Sequence, residues 1–342
     1  MEPVIEVEDL WKIYPDGTEA VRGISFTVGQ GEFFGFLGPN GAGKSTTIKI
    51  LITLLRATKG KVRIFGSDVA REANQVRKLI GYAAQEVGVD DELTGRENLM
   101  LQGQLYHLDA KLLRHRVDEL LDLMDLTGDA NRAAGSYSGG MRKRLDLATG
   151  LMHRPQVLFL DEPTTGLDPQ NRAAIWAHLE HINKQEKMTI LLTTHYLEEA
   201  DRLCDRLAII DHGCIVVSGE PKALKAALGG DVVKLVFGPD GSSACEQCGR
   251  AAAVLATKDF AESVTESDGQ LLIATRQGGR ALPSIVRVLD EVGISVQDMV
   301  LTSPTLDDVF LKYTGARIRD EAPVQNWRNA LGPGGRSRKP LP

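Results

Sequence analysis

The chain has 342 residues, 42% of them hydrophobic and 25% charged, with a formal net charge of −6. That length suggests two domains, since single cores rarely grow past roughly 250 residues. The acidic balance argues against a nucleic-acid partner, and no apolar run approaches the ~18 residues of a membrane span, so any membrane role must run through a partner.

The N-terminus, Met1 to Glu6, is acidic and lacks a signal-peptide apolar region. Val4 to Glu8 alternates like a strand, Trp11-Lys12-Ile13-Tyr14 follows, and Pro15-Asp16-Gly17 reads as a turn. Ile24, Phe26 and Val28 alternate again, and Gly29 to Glu32 turns the chain into the apolar run Phe33–Leu37. That run enters Gly38-Pro39-Asn40-Gly41-Ala42-Gly43-Lys44-Ser45-Thr46, which opens a helix expected to end near Arg56.

Strand, glycine-rich turn and helix together are the setting the P-loop pattern G-x-x-x-x-G-K-[ST] requires. Glycines let main-chain N–H groups curl around phosphate oxygens, and a helix N-terminus adds its partial positive charge. Lys44 would reach the β- and γ-phosphates and the Ser45 hydroxyl would ligate Mg²⁺. The chain is therefore expected to bind a nucleoside triphosphate.

Val62 to Gly66 is a further short strand, and Ile80 to Gln85 leads out of this first block. From about Glu86 to Pro155 the pattern is helical, with Leu113, Val117, Leu120, Leu121 and Met124 on one stripe. Ser138 can cap a helix on which Leu145, Ala148 and Met152 face inward and Arg142, Lys143 and Arg144 face solvent or another chain. Val157–Leu160 is a continuous apolar run, as in a parallel strand buried on both faces, and it ends in Asp161-Glu162-Pro163. A helix around Ala173–Lys184 precedes a second such strand, Met188–Thr194, which ends at His195. Leu207–Ile210 pairs with Ile215–Val217 across Asp211-His212-Gly213. The alternation predicts an α/β fold with nucleotide at the carboxyl edge of a parallel sheet.

Leu228-Gly229-Gly230-Asp231 reads as a boundary. Beyond it come strand 232–237, helix 243–255, strands 261–266 and 270–275, helix 280–292 and strand 294–301. That βαββαβ order predicts a small α+β, ferredoxin-like domain. Thr305 to Leu311 reads as a capped amphipathic helix, and the tail from Ala316, with six Arg/Lys against two acids and four prolines, as flexible. Four cysteines, at 204, 214, 245 and 248, do not make a disulfide framework in a chain this long. Cys245 and Cys248 have metal-ligand spacing but no completing ligands, so thiols without a metal are expected. The P-loop block is not repeated.

These motifs resemble, in the same order, those of the ATP-binding subunit of an ABC transporter, from Val4 to about Ala227. The resemblance implies a P-loop ABC ATPase domain over 1–228 with a helical subdomain at about 86–155, a C-terminal accessory domain over 229–315 and the tail over 316–342. It assigns Asp161 to Mg²⁺, Glu162 to the general base, Gln85 to sensing the metal and γ-phosphate, and His195 to the γ-phosphate. Tyr14 matches the aromatic that stacks on adenine, with Trp11 as a neighbouring competitor. Ser138-Gly139-Gly140 matches the signature that closes on the ATP held by a second copy, and Thr165-Gly166-Leu167-Asp168 matches the loop that crosses the same interface. Tyr137 and Met141 stand where Leu and Gln are usual; neither supplies the phosphate contact.

Tyr137 to Asp146, Leu93 to Leu99 and Thr305 to Leu311 resemble the daunorubicin-resistance branch of drug exporters. This implies an ATPase at the cytoplasmic face of the membrane that docks, through the region from Gln85 to Leu99, on a separate permease and energises export. A soluble ATPase of the same type, acting on a ribosome or nucleic acid, is the alternative; such proteins carry paired ATPase domains, long coiled coils or zinc modules. A catalytically dead regulatory module is a third, and the Lys44, Asp161, Glu162 and His195 set argues against it.

Overall fold

The computed structural model describes residues 3–237, 241–267 and 270–314, without the side chains of 241–246 and 267. The chain opens with two long antiparallel strands, β1 (Pro3–Ile13) and β2 (Glu19–Gly29), followed by β3 (Phe33–Leu37) and helix α1 (Lys44–Leu51). Strands β4 (Lys59–Ile64) and β5 (Ser67–Asp68) complete a sheet of order β2-β1-β4-β5. Helix α1 is shorter than the sequence suggests. Ile52 caps it and Thr53 turns left-handed at φ 68°, so Leu54 and Leu55 both return their N–H groups to the Lys49 carbonyl.

After α2 (Ala73–Leu79) the segment expected only to lead out of the block is a strand, β6 (Ile80–Ala83). A helical layer follows: α3 (Gly95–Leu105), α4 (Ala110–Leu123) and α5 (Gly139–Gly150). Each start is chemically fixed. Thr94 and Glu97 form a capping box on α3, Asp109 caps α4, and the Ser138 hydroxyl accepts from the Met141 N–H at the start of α5. The apolar stripe of α4, with Met124 just beyond it, is buried as its spacing predicts.

Strand β7 (Val157–Asp161), α6 (Pro169–Glu186), β8 (Thr189–Thr194), α7 (Leu197–Leu203), β9 (Arg206–Asp211) and β10 (Cys214–Gly219) complete the second sheet. Its order is β10-β9-β3-β8-β7-β6, parallel throughout except for β10 at the edge. Helix α6 starts before the expected Ala173 because Asp168 caps it and Pro169 takes its first turn.

Period-two alternation splits this sheet's side chains between two cores. Phe34, Phe36, Val157, Phe159 and Leu191 pack toward the β1–β2 sheet, while Phe33, Leu37, Leu158, Leu160, Ile190 and Leu192 pack toward α3–α7. Phe26 of β2 joins Phe34 and Phe36 in one stacked and one edge-on contact, at centroid distances of 5.6 and 4.9 Å. With both faces buried, β3, β7 and β8 are anchored, and their carboxyl ends are held in fixed relation.

Helix α8 (Pro221–Ala226) leads to β11 (Asp231–Val236), α9 (Gly241–Leu255), β12 (Ser263–Ser267), β13 (Gln270–Thr275), α10 (Gly278–Glu291) and β14 (Asp298–Thr302). This is the expected βαββαβ run, as an antiparallel sheet of order β12-β13-β11-β14, the ferredoxin-like arrangement. Cys248 is buried in its core; the Cys245 side chain and the tail from Ala316 lie outside the described residues. The last helix among the described residues, α11 (Leu306–Thr314), does not pack into this core. It starts at a reciprocal cap between Thr305 and Asp308 and buries Leu306, Val309 and Phe310 in the same core as α3–α7.

Candidate functional site

The P-loop lies between the end of β3 and α1, over the carboxyl edge of the parallel sheet. Its glycines meet specific demands. Gly41 and Gly43 hold φ of 81° and 103°, a left-handed region costly for other residues. A Cβ on Gly38 would press into the Ile210 carbonyl, and one on Gly43 into that of Ala20. Pro39, Asn40 and Ala42 fill the turn between them, and Thr46 continues into α1.

Lys44 folds back over this loop. Its ammonium donates to the Gly38 carbonyl at 2.7 Å and the Pro39 carbonyl at 3.1 Å, and pairs with Glu162 Oε1 at 3.1 Å. Both ends of that ion pair are at least 95% buried, at 4% and 5% exposed. Ser45 Oγ donates to Asp161 Oδ1 at 2.9 Å, and Thr193 Oγ1 of β8 donates to the same oxygen at 2.6 Å. Neighbouring strands β7 and β8 thus bring Asp161 to the first residue after Lys44.

Glu162 is the hub. It occupies a left-handed conformation at φ 48°, strain of order 1 kcal/mol that a rigid turn must hold. The Thr193 carbonyl and hydroxyl both accept its N–H at 3.1 Å. Its Oε2 meets His195 Nδ1 at 3.2 Å, Thr165 Oγ1 at 3.2 Å and Gln85 Nε2 at 3.4 Å. Burial raises this carboxyl, but the His195 hydrogen bond and the charges of Lys44 and His195 outweigh it and lower it to about 2. Lys44, Ser45, Gln85, Asp161, Glu162 and His195 are therefore one contiguous cluster, drawn from β6–α3, β7, β8 and the P-loop.

Tyr14 stands at its margin, with its hydroxyl 3.3 Å from Thr46 Oγ1 and the Lys12 ammonium 5.3 Å from its ring. Trp11 is engaged elsewhere, with its indole N–H on Asp9 and Lys59 over its ring. Ser138 caps α5, whose first residues are Gly139 and Gly140. Their neighbours are Met141, Leu167 and Asn171, and Asp168 caps the adjacent α6 through Asn171. A Cβ on Gly140 would collide with Asn171, so the two caps are packed against each other.

Three features were not legible in the sequence. Thr193 as a partner of Asp161 depends on strand register. Glu199, buried on α7, accepts from Thr164 and from the Trp176 indole at 2.9 Å each, and burial raises its pKa. Lys143, expected to face solvent or another chain, is 4% exposed and points at the main chain beside Gln85.

A P-loop lysine at the start of the helix that follows β3, with an acid pair at the end of β7 and a histidine at the end of β8, the strand between β3 and β7, defines a P-loop nucleoside-triphosphate hydrolase. Comparison with known proteins narrows this. The family model described as ABC transporter matches residues 21–165, and the model for the DrrA1-3-like ATP-binding protein C-terminal domain matches residues 219–314. The daunorubicin resistance ATP-binding protein DrrA3 of Streptomyces coeruleorubidus is 43% identical over 324 residues, covering 94% of this chain and 99% of that protein. The Nod factor export ATP-binding protein I of Ralstonia nicotianae is 38% identical over 320 residues, covering 93% of this chain and 96% of that one. A solved ATP-binding cassette, a dimeric post-hydrolysis state bound to ADP and Pi, is 25% identical with a TM-score of 0.58, covering 63% of this chain and 98% of that one. The chain belongs to the ABC transporter family, in its daunorubicin-resistance ATP-binding branch. Its core is accordingly an ATP-binding ATPase cassette.

Proposed function

We propose that the chain is the ATP-hydrolysing subunit that energises a membrane permease exporting drugs or similar hydrophobic compounds. The observation that carries this is the single cluster of Lys44, Ser45, Asp161, Glu162, Gln85 and His195 around the P-loop. The exported class follows from relatives named for daunorubicin and doxorubicin resistance, at 42–43% identity over most of the chain.

Main-chain N–H groups of Gly41–Ser45 and the Lys44 ammonium bind the phosphates of ATP, and Tyr14 flanks the base. Ser45 Oγ and Asp161 Oδ1, hard oxygens 2.9 Å apart, suit Mg²⁺. When bound, that ion neutralises charge on the β- and γ-phosphates. Gln85, whose amide lies 3.4 Å from Glu162 Oε2, would add a further oxygen ligand to that ion. Glu162, a carboxylate at neutral pH, accepts a proton from or orients the attacking water. His195, on the same carboxylate oxygen as Gln85, would contact the γ-phosphate.

Binding must first break the Lys44–Glu162 pair, because phosphate and Glu162 compete for one ammonium. ATP frees Glu162 from Lys44 for use on water.

Ser138, Gly139 and Gly140 form a second phosphate-binding helix start, remote in sequence from Lys44, and Asp168 caps the helix beside it. We assign them to the ATP of a second copy, in a sandwich dimer. A similar cassette solved as a dimer supports this. The accessory unit over 229–315 we assign to pairing or regulating the two copies, with α11 tying it to the ATPase core over 1–228.

Leu101, Leu105 and Tyr106 on or beside α3 and Leu112 on α4 are exposed apolar side chains of the helical block, Leu105 being 66% exposed. We assign these side chains, beside the region from Gln85 to Leu99 that the resemblance implies, to the permease. No helix among the described residues is long and apolar enough to cross a membrane, so the proposed place at the cytoplasmic face depends on that contact.

ATP turnover of the purified chain, with Glu162→Gln beside it, tests the reading. The expectation is a loss of about 10²–10⁴-fold in kcat with ATP binding kept and an ATP-dependent dimer on sizing. Near-normal turnover in the variant would remove Glu162 from its role.

A further inference from the structure

The loop that carries Gln85 leaves β6 after Ala83 and rejoins helical structure at α3. Beyond the β6 ladder, no main-chain-to-main-chain bond holds Ala84 to Asp90 among the described residues. Side chains hold it instead. The Lys143 ammonium donates to the Ala84 carbonyl at 2.5 Å and lies 3.4 Å from that of Gln85. Asp146 Oδ1, one helical turn on, accepts the Gly88 N–H at 3.0 Å. The two side chains form an ion pair at 3.6 Å, and both are buried, at 4% and 5% exposed. Asn98 of α3 secures the far end through the Asp90 N–H and carbonyl.

Gln85 sits between the two grips of α5, and its amide reaches Glu162 Oε2 at 3.4 Å. Helix α5 is the helix whose first residues are Ser138, Gly139 and Gly140. A buried lysine is a costly way to satisfy two carbonyls unless its charge is matched. Asp146 supplies that match, and Asp161, nearby across the sheet edge, adds to it. A buried Lys–Asp pair whose remaining bonds all go to one loop reads as a clamp on that loop.

We propose that Lys143 and Asp146 are positioning residues that set Gln85 against Glu162 by fastening the 84–88 loop to α5. Any displacement of the Ser138 end of the helix is thereby passed to Gln85 in the same subunit. This rests on the ATPase reading above.

The test is a double-mutant cycle on ATP turnover of the full chain, with Lys143→Met, Gln85→Ala and their combination. Lys143→Met is expected to lower kcat on the order of tenfold with KM for ATP changed less than about twofold. Lys143→Arg, which keeps charge and donors, is expected to retain most of the turnover. In the Gln85→Ala background the Met substitution should cost nothing further, since the residue it positions is gone. The same fold loss in both backgrounds, or full turnover in Lys143→Met, would overturn the proposal and leave the pair a stabilising one. If Lys143→Met does not fold, Asp146→Asn, which keeps an acceptor for Gly88 but not the charge, enters the same cycle. Absence of turnover in the unmodified chain would instead defeat the ATPase reading itself.

Discussion

Glu162→Gln removes one negative charge from a buried ion pair and leaves the Lys44 ammonium at 4% exposure without its counter-charge. The carboxyl is lowered from 4.5 to about 2 in the folded chain, a shift worth about 3 kcal/mol at full strength. Solvent at the mouth of the site and the burial cost Lys44 itself carries reduce this to about 2 kcal/mol. Because the folded pKa is depressed, that stability is present above pH 4.5 and is lost as pH falls toward 2. At neutral pH the ligand-free variant should therefore melt about 4–8 °C below the parent chain. Bound phosphate gives Lys44 a new partner, so the penalty disappears in the complex. A non-hydrolysable ATP analogue should consequently bind the variant more tightly, by up to roughly 30-fold for 2 kcal/mol. Thermal unfolding with and without the analogue, together with its Kd, reads both effects. An unchanged ligand-free melting point with an unchanged or weaker Kd would refute the competition between Glu162 and phosphate for Lys44.

Lys44→Ala should abolish measurable ATP binding while Ser45–Asp161 stays intact; equilibrium dialysis with labelled ATP checks it. Gly38→Ala places a Cβ against the Ile210 carbonyl, and should displace the loop at a cost of about 1–3 kcal/mol and weaken ATP, as unfolding and binding measurements would report. His153, stacked on Tyr106 at 3.9 Å, is lowered below 6.5 by burial, so its contribution to stability is full above pH 6.5 and falls away below it. Melting temperature should decline on that acid side, and His153→Gln should flatten the slope. Leu105→Glu together with Leu112→Glu should leave ATP turnover of the isolated chain in place and sharply lower recovery of membrane protein with it.

The parts of this fold that repeat a local rule were readable from residues. Continuous apolar runs gave β3, β7 and β8, cap residues such as Ser138 marked helix starts, and the βαββαβ order emerged from alternation. Strand β6 was not, because Ile80–Ala83 is short and its glycine masks the pattern until β7 pairs with it. Lys143 was misread for a physical reason. A lysine beside two arginines on a helix looks solvated, and only the path of a loop far away in sequence shows what its charge serves. In the site, spacing placed each motif at a strand end. It could not show that Glu162 pairs with Lys44, since that contact depends on a left-handed turn at Glu162 and on the register of β7 against β8.

The most direct test of the whole account is affinity purification of the Glu162→Gln chain from gently solubilised membranes in the presence of ATP. The account predicts recovery of one polytopic membrane protein at near-equal stoichiometry, released when charge is placed at Leu105 and Leu112. Recovery only from the soluble fraction, with ribosomes or nucleic acid attached, would contradict it and leave an ATPase with a different task.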